Sequence, residues 1–319
     1  MPEERVELIV QPADGVTTVI NAVKKAKSSV ELTIFRFDMK ELQKALEDAV
    51  VRGVKVHALI AHQAAGEGKK LRKLELELLA SGVTVSRTSD DLVRYHHKLL
   101  IVDREELFAM AFNWAKLDIE KSRSLGVATK YPKLVQEALK LFEADATRHP
   151  YTPGSDYFLV SPENARAGLT KFLKGAKKEL LIYEMKISDK AMIALLRERL
   201  KAGVEIRIIG KMTKSADEFK IDKMPGMRLH LRAILRDGHE LFVGSQSLRA
   251  LELDKRREVG VIVNDRAVSK RFRDVFDEDW ANTDAGKKER KALEKEKEKE
   301  KEKDKEKEKD KEKEKEAHA

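Results

Sequence analysis

Hydrophobic and polar residues follow one another along the chain in blocks that predict strands and helices in turn. Residues 30–35 ("VELTIF") form an apolar run typical of a strand. Residues 38–53 ("DMKELQKALEDAVVRG") repeat apolar positions with the period of a helix and end at Gly53, a plausible terminating glycine. Residues 54–60 ("VKVHALI") predict the next strand. This βαβα order predicts an α/β fold in which helices pack on the faces of sheets.

The chain contains this pattern twice. At an offset of 150, "ELIVQP" (7–12) matches "YFLVSP" (157–162), and "RGVKVHALI" (52–60) matches "AGVEIRIIG" (202–210). At an offset of 134, His96 matches His230, Asp103 matches Asp237, and "LFEAD" (141–145) matches "VFDED" (275–279). Chance would not keep one offset across both a motif and a trailing helix. We therefore expect two similar βα repeats, residues 1–150 and 151–285, packed as a pseudo-twofold sandwich.

Residues 286–319 are dominated by alternating lysine and glutamate. In a helix, this alternation places like charges four residues apart, where opposite charges would be stabilising. We expect a solvated tail, disordered or partly helical, that buries no core.

Composition narrows the classes of function. The net charge of +9 suits a polyanionic partner such as nucleic acid or anionic lipid. The absence of cysteine excludes disulfides and thiolate metal sites and favours a reducing cytosol, with peripheral contact to an anionic membrane left open. The sequence contains neither a membrane-spanning apolar run nor a signal peptide, and it leaves the oligomeric state undetermined.

The stretch "YHHKLLIVD" (95–103) places polar residues directly before a buried strand. His96 and Lys98 enter a four-residue apolar run, and the second copy repeats the arrangement with His230 and Arg232. Charged groups at such a position are paired, exposed at the strand mouth, or functional, because burying a lone charge is costly. Their duplication favours a functional site.

These residues resemble the HxKx4D signature of the phospholipase D superfamily. His96, Lys98 and Asp103 fit it fully, whereas His230, Arg232 and Asp237 fit it with arginine in place of lysine. The family's GSxN element and its later glutamate have second-copy counterparts in Gly244, Ser245, Ser247 and Glu258. Their first-copy counterparts are Met110, Ala111, Asn113 and Ser124. The resemblance covers roughly residues 5–283.

The resemblance implies that both copies contribute to one site. One histidine would attack a phosphodiester and form a phosphohistidine, while the other protonates the leaving oxygen and then activates water or an acceptor alcohol. Lys98 and Arg232 would hold the non-bridging oxygens. His96 and His230 should therefore meet across the repeat interface within the width of one phosphate. The resemblance suggests no metal and no other cofactor.

Departures from the family pattern suggest an asymmetric site. Met110 would add bulk at the phosphate, and Ala111 would remove a hydroxyl there. Ser124 replaces the orienting glutamate, so we expect Glu258 to hold His230 and His96 to lack a carboxylate partner. Which histidine is the nucleophile stays open. Among neighbouring residues, His97 and His239 are expected to face solvent, and Asp103 and Asp237 to be acceptors near the site rather than proton carriers.

The sequence thus predicts a metal-independent phosphodiesterase or phosphatidyltransferase acting on a phospholipid diester. A nuclease of the same superfamily is the alternative. The motif recognises only the phosphate, so it does not distinguish a lipid from a nucleic acid. A degenerate member that binds polyanions without turnover is a third reading, because the departures from the family pattern count against full activity.

Overall fold

The computed structural model describes residues 6–62, 66–213 and 218–316. The first repeat runs through β1 (Val6–Gln11), α1 (Thr17–Lys25), β2 (Ser29–Ile34), α2 (Lys40–Val51), β3 (Lys55–Ile60), α3 (Gly68–Ala80), β4 (Thr84–Arg87), β5 (Arg94–Tyr95), β6 (Leu99–Val102), β7 (Glu106–Met110), α4 (Lys116–Glu120), β8 (Ser122–Thr129) and α5 (Pro132–Thr147).

The second repeat follows the same course, with one helix fewer among its described residues. Its elements are β9 (Phe158–Ser161), α6 (Ala165–Lys174), β10 (Glu179–Ile187), α7 (Lys190–Lys201), β11 (Glu205–Met212), β12 (Lys220–Asp222), β13 (Arg228–Leu229), β14 (Arg232–Arg236), β15 (Glu240–Gly244), α8 (Ala250–Asp254), β16 (Arg256–Val263) and α9 (Arg266–Ala281). The described residues between β11 and β12 contain no counterpart of α3, which is consistent with the change in offset from 150 to 134.

Each repeat builds one mixed sheet. The first has the order β1-β8-β7-β6-β2-β3-β4 and the second the order β12-β11-β10-β14-β15-β16, with β9 also paired to β16. In both, the βαβ units give parallel neighbours (β2 with β3, β10 with β11), whereas the strand that follows the histidine is antiparallel to its neighbours. The predicted α/β architecture with two repeats is confirmed.

The two sheets pack against three apolar layers. Helices α1, α2 and α3 cover the outer face of the first sheet, and α6 and α7 cover the outer face of the second. Between the sheets lies the central core, to which α5 and α9 contribute Phe142, Phe272, Phe276 and Trp280. Because the largest core is shared by both halves, the repeats are packed as one sandwich.

Two short strands cross from one repeat to the other. β5 of the first repeat pairs with β16 of the second, with Arg94 opposite Arg256 and Tyr95 opposite Arg257. β13 of the second repeat pairs in the same way with β8 of the first, with Arg228 opposite Ser122. The two pairings are related by the same offset of 134 that the sequence shows.

A buried arginine–aspartate pair locks each crossing. Arg123 on β8 donates from Nε and Nη2 to Asp279 on α9 of the other repeat, at 2.7 and 2.9 Å. Its counterpart, Arg257 on β16, has Nε 3.2 Å from Oδ1 of Asp145 on α5. All four residues are buried. Asp145 and Asp279 are the final residues of the matched segments "LFEAD" and "VFDED", so both locks belong to the internal repeat.

The Lys/Glu segment forms a helix, α10 (Asp284–Glu316), whose first turns contact the second repeat. The amide of Ala285 donates to Asp222, and Glu289 accepts a hydrogen bond from the Trp280 indole and pairs with Lys220. No helix in the described ranges is long and apolar enough to cross a membrane.

We expect the Asp279→Ala substitution to reduce the free energy of unfolding by about 3–5 kcal/mol, because it leaves the buried Arg123 guanidinium without its partner. Asp274→Ala on the same helix is the matched control. Asp274 pairs with Lys270 at the surface, with 60% and 75% of the two side chains exposed, so its loss should cost well under about 1 kcal/mol. Denaturant unfolding monitored by circular dichroism measures both, and equal effects would contradict the lock.

Candidate active site

The two motif histidines begin neighbouring segments at the repeat crossing. His96 follows β5, and its amide donates to the carbonyl of Arg257 in the other repeat at 2.8 Å. His230 follows β13, and its amide donates to the carbonyl of Arg123 at 3.0 Å. Each histidine is therefore fixed by the backbone of the opposite repeat, which brings both motifs to one place.

The His96 imidazole is held by Glu258. Its Nδ1 lies 2.9 Å from one carboxylate oxygen of Glu258 and 3.1 Å from the other, and the Phe35 ring packs edge-on against it at 4.5 Å between centroids. Burial, and then the nearby charges of Lys98 and Arg232, hold the pKa of His96 well below its usual range. The expectation that His96 lacks a carboxylate partner, and that Glu258 serves His230, is wrong.

The partner of His230 is Asp118. Its Oδ1 lies 3.0 Å from Nδ1 of His230, and the carboxylate also accepts from Asn113 and Arg228. Burial alone would raise the pKa of Asp118, but these contacts outweigh it and hold the pKa well below its usual range. Burial lowers the pKa of His230 to about 4, with Asp118 acting in the opposite direction. Both histidines therefore have a carboxylate on Nδ1, each supplied by the other repeat.

Two buried cations accompany the histidines. Lys98 Nζ lies 2.9 Å from both ring nitrogens of His96, and burial lowers its pKa to about 7, with Glu258 acting in the opposite direction. Arg232 donates from Nε to the Ser247 hydroxyl at 2.9 Å, while its Nη1 is buried without a hydrogen-bond partner among the described residues. These groups are positioned to receive an anion, because a buried cation without a full set of partners is costly.

Glu184 is a further carboxylate beside Arg232. One of its oxygens accepts from the amide of Leu248 at 2.9 Å. Burial raises the pKa of Glu184 to about 7, and Arg232 acts to lower it. Glu184 thus offsets the charge of the arginine that replaces the motif lysine.

Some of the residues that match the GSxN element contact the site, and others support the surrounding backbone. Asn113 donates to Asp118, and Ser247 accepts from Arg232, so both contact the machinery. The Ser245 hydroxyl bonds to the backbone of Val259 and also contacts Glu258, whose pKa this hydrogen bond acts to lower. At Gly244, a side chain would meet the backbone of Gly260 across the strand pair. Gly244 is therefore needed for close strand packing.

The first-copy departures do not obstruct the site. Met110 packs in the core outside the first sheet, with its sulfur over Gly126 on the paired strand. In the other copy, the counterpart glycine Gly260 is covered by the side chains of Phe242 and Gln246. Ser124 donates to the backbone carbonyl of His230 at 2.8 Å and so supports the crossing. The expectation that Met110 adds bulk at the phosphate is wrong.

The motif aspartates lie at the other end of the strands. Asp103 accepts hydrogen bonds from the amides of residues 27–29, and Asp237 does the same for residues 177–179. Four strand residues separate each aspartate from the site, roughly 13 Å of chain. The structure therefore does not bring Asp103 or Asp237 to the histidines, and both act as structural acceptors in tight turns.

The structure also corrects the prediction for one of the two histidines that neighbour the motif. His97 is buried, with Nε2 3.6 Å from Asp145 Oδ2, on the opposite side of the strand from His96. The prediction that His97 faces solvent is wrong. His239 is exposed, as predicted.

Asp118 is the functional residue that sequence reasoning missed. It was overlooked because the family pattern places the orienting residue at the position of Ser124. A signal was present: Asp118 and Glu252 are acidic at an offset of 134 and buried in the short helices α4 and α8. Within the described ranges, no group of three or more His, Asp or Glu side chains could hold a metal ion.

The crossed arrangement predicts which ring each carboxylate controls. Glu258→Gln should change the imidazole nitrogen chemical shifts of His96 and leave those of His230 close to wild type. Asp118→Asn should do the reverse, because each carboxylate fixes the tautomer of the ring that it contacts. Nitrogen-15 NMR of the histidines measures both. Glu252→Gln is the matched control, and a His230 response to Glu258→Gln would contradict the crossed arrangement.

Comparisons with known proteins identify the family of the chain. A family model described as "Cardiolipin synthase, PLD-like domain" matches residues 19–146 and 169–280. The mitochondrial cardiolipin hydrolase of Mus musculus is 28% identical over 145 residues, which are 44% of this chain and 63% of that protein. The Homo sapiens protein of the same name is 26% identical over 161 residues, 48% and 62% of the two chains. The chain therefore spans less than two thirds of the length of these relatives.

Two solved structures share the fold. Polyphosphate kinase from Porphyromonas gingivalis aligns with a TM-score of 0.72 at 19% identity, over 85% of this chain and 50% of that one. Phosphatidylserine synthase from Haemophilus influenzae Rd KW20 aligns with a TM-score of 0.65 at 10% identity, over 86% of both chains. Since the family model matches most of this chain and extends through both repeats, the chain belongs to the phospholipase D superfamily, in the family of PLD-like domains described for cardiolipin synthase.

Proposed function

We propose that this protein is a phosphodiesterase or phosphatidyltransferase of phospholipase D type that acts through a phosphohistidine, with a phospholipid diester as substrate. In this proposal, residues 1–150 and 151–285 are the two phospholipase D-like repeats, and residues 286–319 are a charged extension. The observation that carries the proposal is the crossed pairing of His96 with Glu258 and of His230 with Asp118.

The reaction follows from this pairing. A carboxylate on Nδ1 leaves Nε2 of each ring as the reacting nitrogen and stabilises the imidazolium when that ring gains a proton. One Nε2 attacks phosphorus, the bond to the leaving oxygen breaks, and the other imidazole gives its proton to that oxygen. The second imidazole then takes a proton from water or an alcohol, whose oxygen attacks phosphorus and breaks the phosphorus–nitrogen bond. Two nearly equivalent rings suit this exchange.

The two cations supply the electrostatic stabilisation of the transition state. Negative charge gathers on the non-bridging oxygens as the phosphorus becomes five-coordinate, and a buried cation stabilises that charge more than a solvated one does. Lys98 and the unpartnered Nη1 of Arg232 are the donors for these oxygens. Glu184 keeps Arg232 oriented through Ser247, which is consistent with a working replacement of the motif lysine.

A lipid substrate is preferred because the family model and both curated relatives are named for cardiolipin. Nucleic acid remains the alternative diester, supported by the positive net charge. The reading as a binder without turnover is disfavoured, because the departures that suggested it are packed in the core or support the backbone.

Trapping on a substrate with a good leaving group tests the mechanism and assigns the roles. With bis(p-nitrophenyl) phosphate, p-nitrophenolate departs with little need for a proton. We therefore expect the variant lacking the acid–base histidine to release one burst of p-nitrophenolate and retain acid-labile phosphate, whereas the variant lacking the nucleophile gives neither. His96→Ala and His230→Ala are compared by rapid quench, with His239→Ala as the control. If neither variant nor wild type forms phosphohistidine, the protein is not this enzyme.

The pKa of Lys98 predicts how the activity depends on pH. With its pKa at about 7 in the free protein, the ammonium is present below that pH and lost above it. Lys98 should therefore add a fall in kcat/KM as pH rises through about 7, at higher pH than the loss of the His230 imidazolium proton near 4. Lys98→Arg should lower the maximal rate by roughly tenfold, since the guanidinium is larger and differently aimed. The same substitution should move the basic limb to higher pH, because arginine stays protonated. An unmoved limb would assign it to another group, such as Glu184.

A further inference from the structure

Arg94 is a guanidinium that the proposed chemistry does not use. It lies two residues before His96, and its Cζ is 5.1 Å from the centroid of the Phe35 ring, the ring that also packs against His96. In the part of the chain that the structure describes, its guanidinium makes no hydrogen bond or ion pair. Phe35 is buried, so Arg94 rests on a fixed support at the edge of the site.

A second arginine stands opposite it. Arg94 is the direct partner of Arg256 in the β5–β16 pair, and the two charges are close enough that Arg256 helps to lower the pKa of Arg94, after burial. Arg256 donates to Glu252 at 3.0 Å, but its Nε is buried without a hydrogen-bond partner among the described residues. Two nearby like charges repel each other, more strongly when they are partly buried, and a bound anion would relieve this.

The pseudo-twofold counterpart lacks this excess charge. There, Arg228 occupies the place of Arg94, Asp118 that of Glu252, and Ser122 that of Arg256. Arg228 bonds to Asp118 and to the Ser122 hydroxyl, so one arginine faces one carboxylate. On the Arg94 side three arginines, Arg94, Arg249 and Arg256, face two carboxylates. Arg249 Nε lies 3.3 Å from Glu252, and Arg256 Nη1 lies 3.9 Å from Glu258, which also holds His96. The asymmetry is therefore built into one end of the site.

The register sets the distance from the reacting centre. The pairing of Arg94 with Arg256 continues to the contact of His96 with Glu258, two residues farther along the same strands and on the same face. Two residues of strand span about 6.5 Å. An anion held by the arginines would thus lie beside the reacting centre, on the same face of the strands, where a second phosphate of the same small molecule could bind.

We propose that Arg94 and Arg256 form a subsite for a second phosphate of the substrate, so that the preferred lipid is a diester that carries another phosphate close to the scissile one. This inference rests on the proposed function, since it places the scissile phosphate at the histidines. The subsite also gives the substrate a direction in an otherwise pseudo-symmetric site, with the second phosphate on the side of His96.

Binding of soluble probes tests the subsite without requiring turnover. By calorimetry, the full chain should bind glycerol 1,3-bisphosphate about tenfold or more tightly than glycerol 1-phosphate, as expected for an added charge-assisted contact. Arg94→Gln should bring this ratio close to one, and Arg94→Lys should restore part of it. Arg104→Gln, which removes the same charge from the far end of β6, should keep the wild-type ratio. An unchanged ratio in Arg94→Gln, or no preference in wild type, overturns the subsite.

Turnover then distinguishes the source of the second phosphate. Rates on vesicles containing cardiolipin or phosphatidylglycerol are compared with rates on the dinucleotides pTpT and TpT. We expect cardiolipin to be preferred in wild type and the preference to fall about tenfold in Arg94→Gln. An Arg94-dependent preference for pTpT with no such preference among the lipids overturns the lipid assignment. Failure of the proposed function would appear separately, as binding of the bisphosphate without phosphohistidine.

Discussion

The exchange of two short strands between the repeats is the constraint on which the rest of the molecule depends. β5 and β13 each leave their own sheet and pair with the last strand of the other, and the buried pairs Arg123–Asp279 and Arg257–Asp145 hold these crossings against α9 and α5. A buried arginine needs its carboxylate, because either charge alone would be strongly destabilising. The locks therefore oblige the helices of one repeat to pack on the strands of the other.

The reacting groups depend on the same crossings. Arg257 and Glu258 are adjacent on β16 and point to opposite sides of it, so the residue that locks Asp145 fixes the neighbour that holds His96. In the other half, Arg123 accepts the amide of His230 on its carbonyl while its side chain binds Asp279. A site assembled in this way belongs to neither repeat alone. This explains why each histidine receives its carboxylate from the opposite copy.

The scaffold is symmetric whereas the site is asymmetric, because scaffold residues and site residues lie on different faces of the strands. The faces toward the central core are apolar in both copies, and the locking pairs are matched at the offset of 134. The faces toward the site differ: lysine opposes arginine, glutamate serves one ring and aspartate the other, and only one end has a second arginine. A pseudo-twofold frame thus provides two equivalent rings for an exchange of roles, while the charges around them distinguish one end of a substrate from the other.

The sequence by itself determined the features that depend on local pattern. Alternating apolar periods predicted the α/β class, the two offsets revealed the duplication, and the repeated motif identified His96, His230, Lys98 and Arg232 as one set. Charge alternation also separated the last segment from the core. Each of these follows from residues that are close in the chain, or from a comparison of one copy with the other.

Only the tertiary structure decided which side chains meet. The sequence assigned Glu258 to His230 because both lie in the second copy, and it left Asp118 out because that residue is absent from the motif spacing. It also placed His97 in solvent and Met110 in the site. The first three errors share one cause, because the strand exchange places residues of each repeat against the other repeat. The Met110 error has a different cause: strand alternation turns this side chain into the core outside its own sheet. Spacing along one chain does not contain that information, because the partner residues are brought together only when both copies fold against each other.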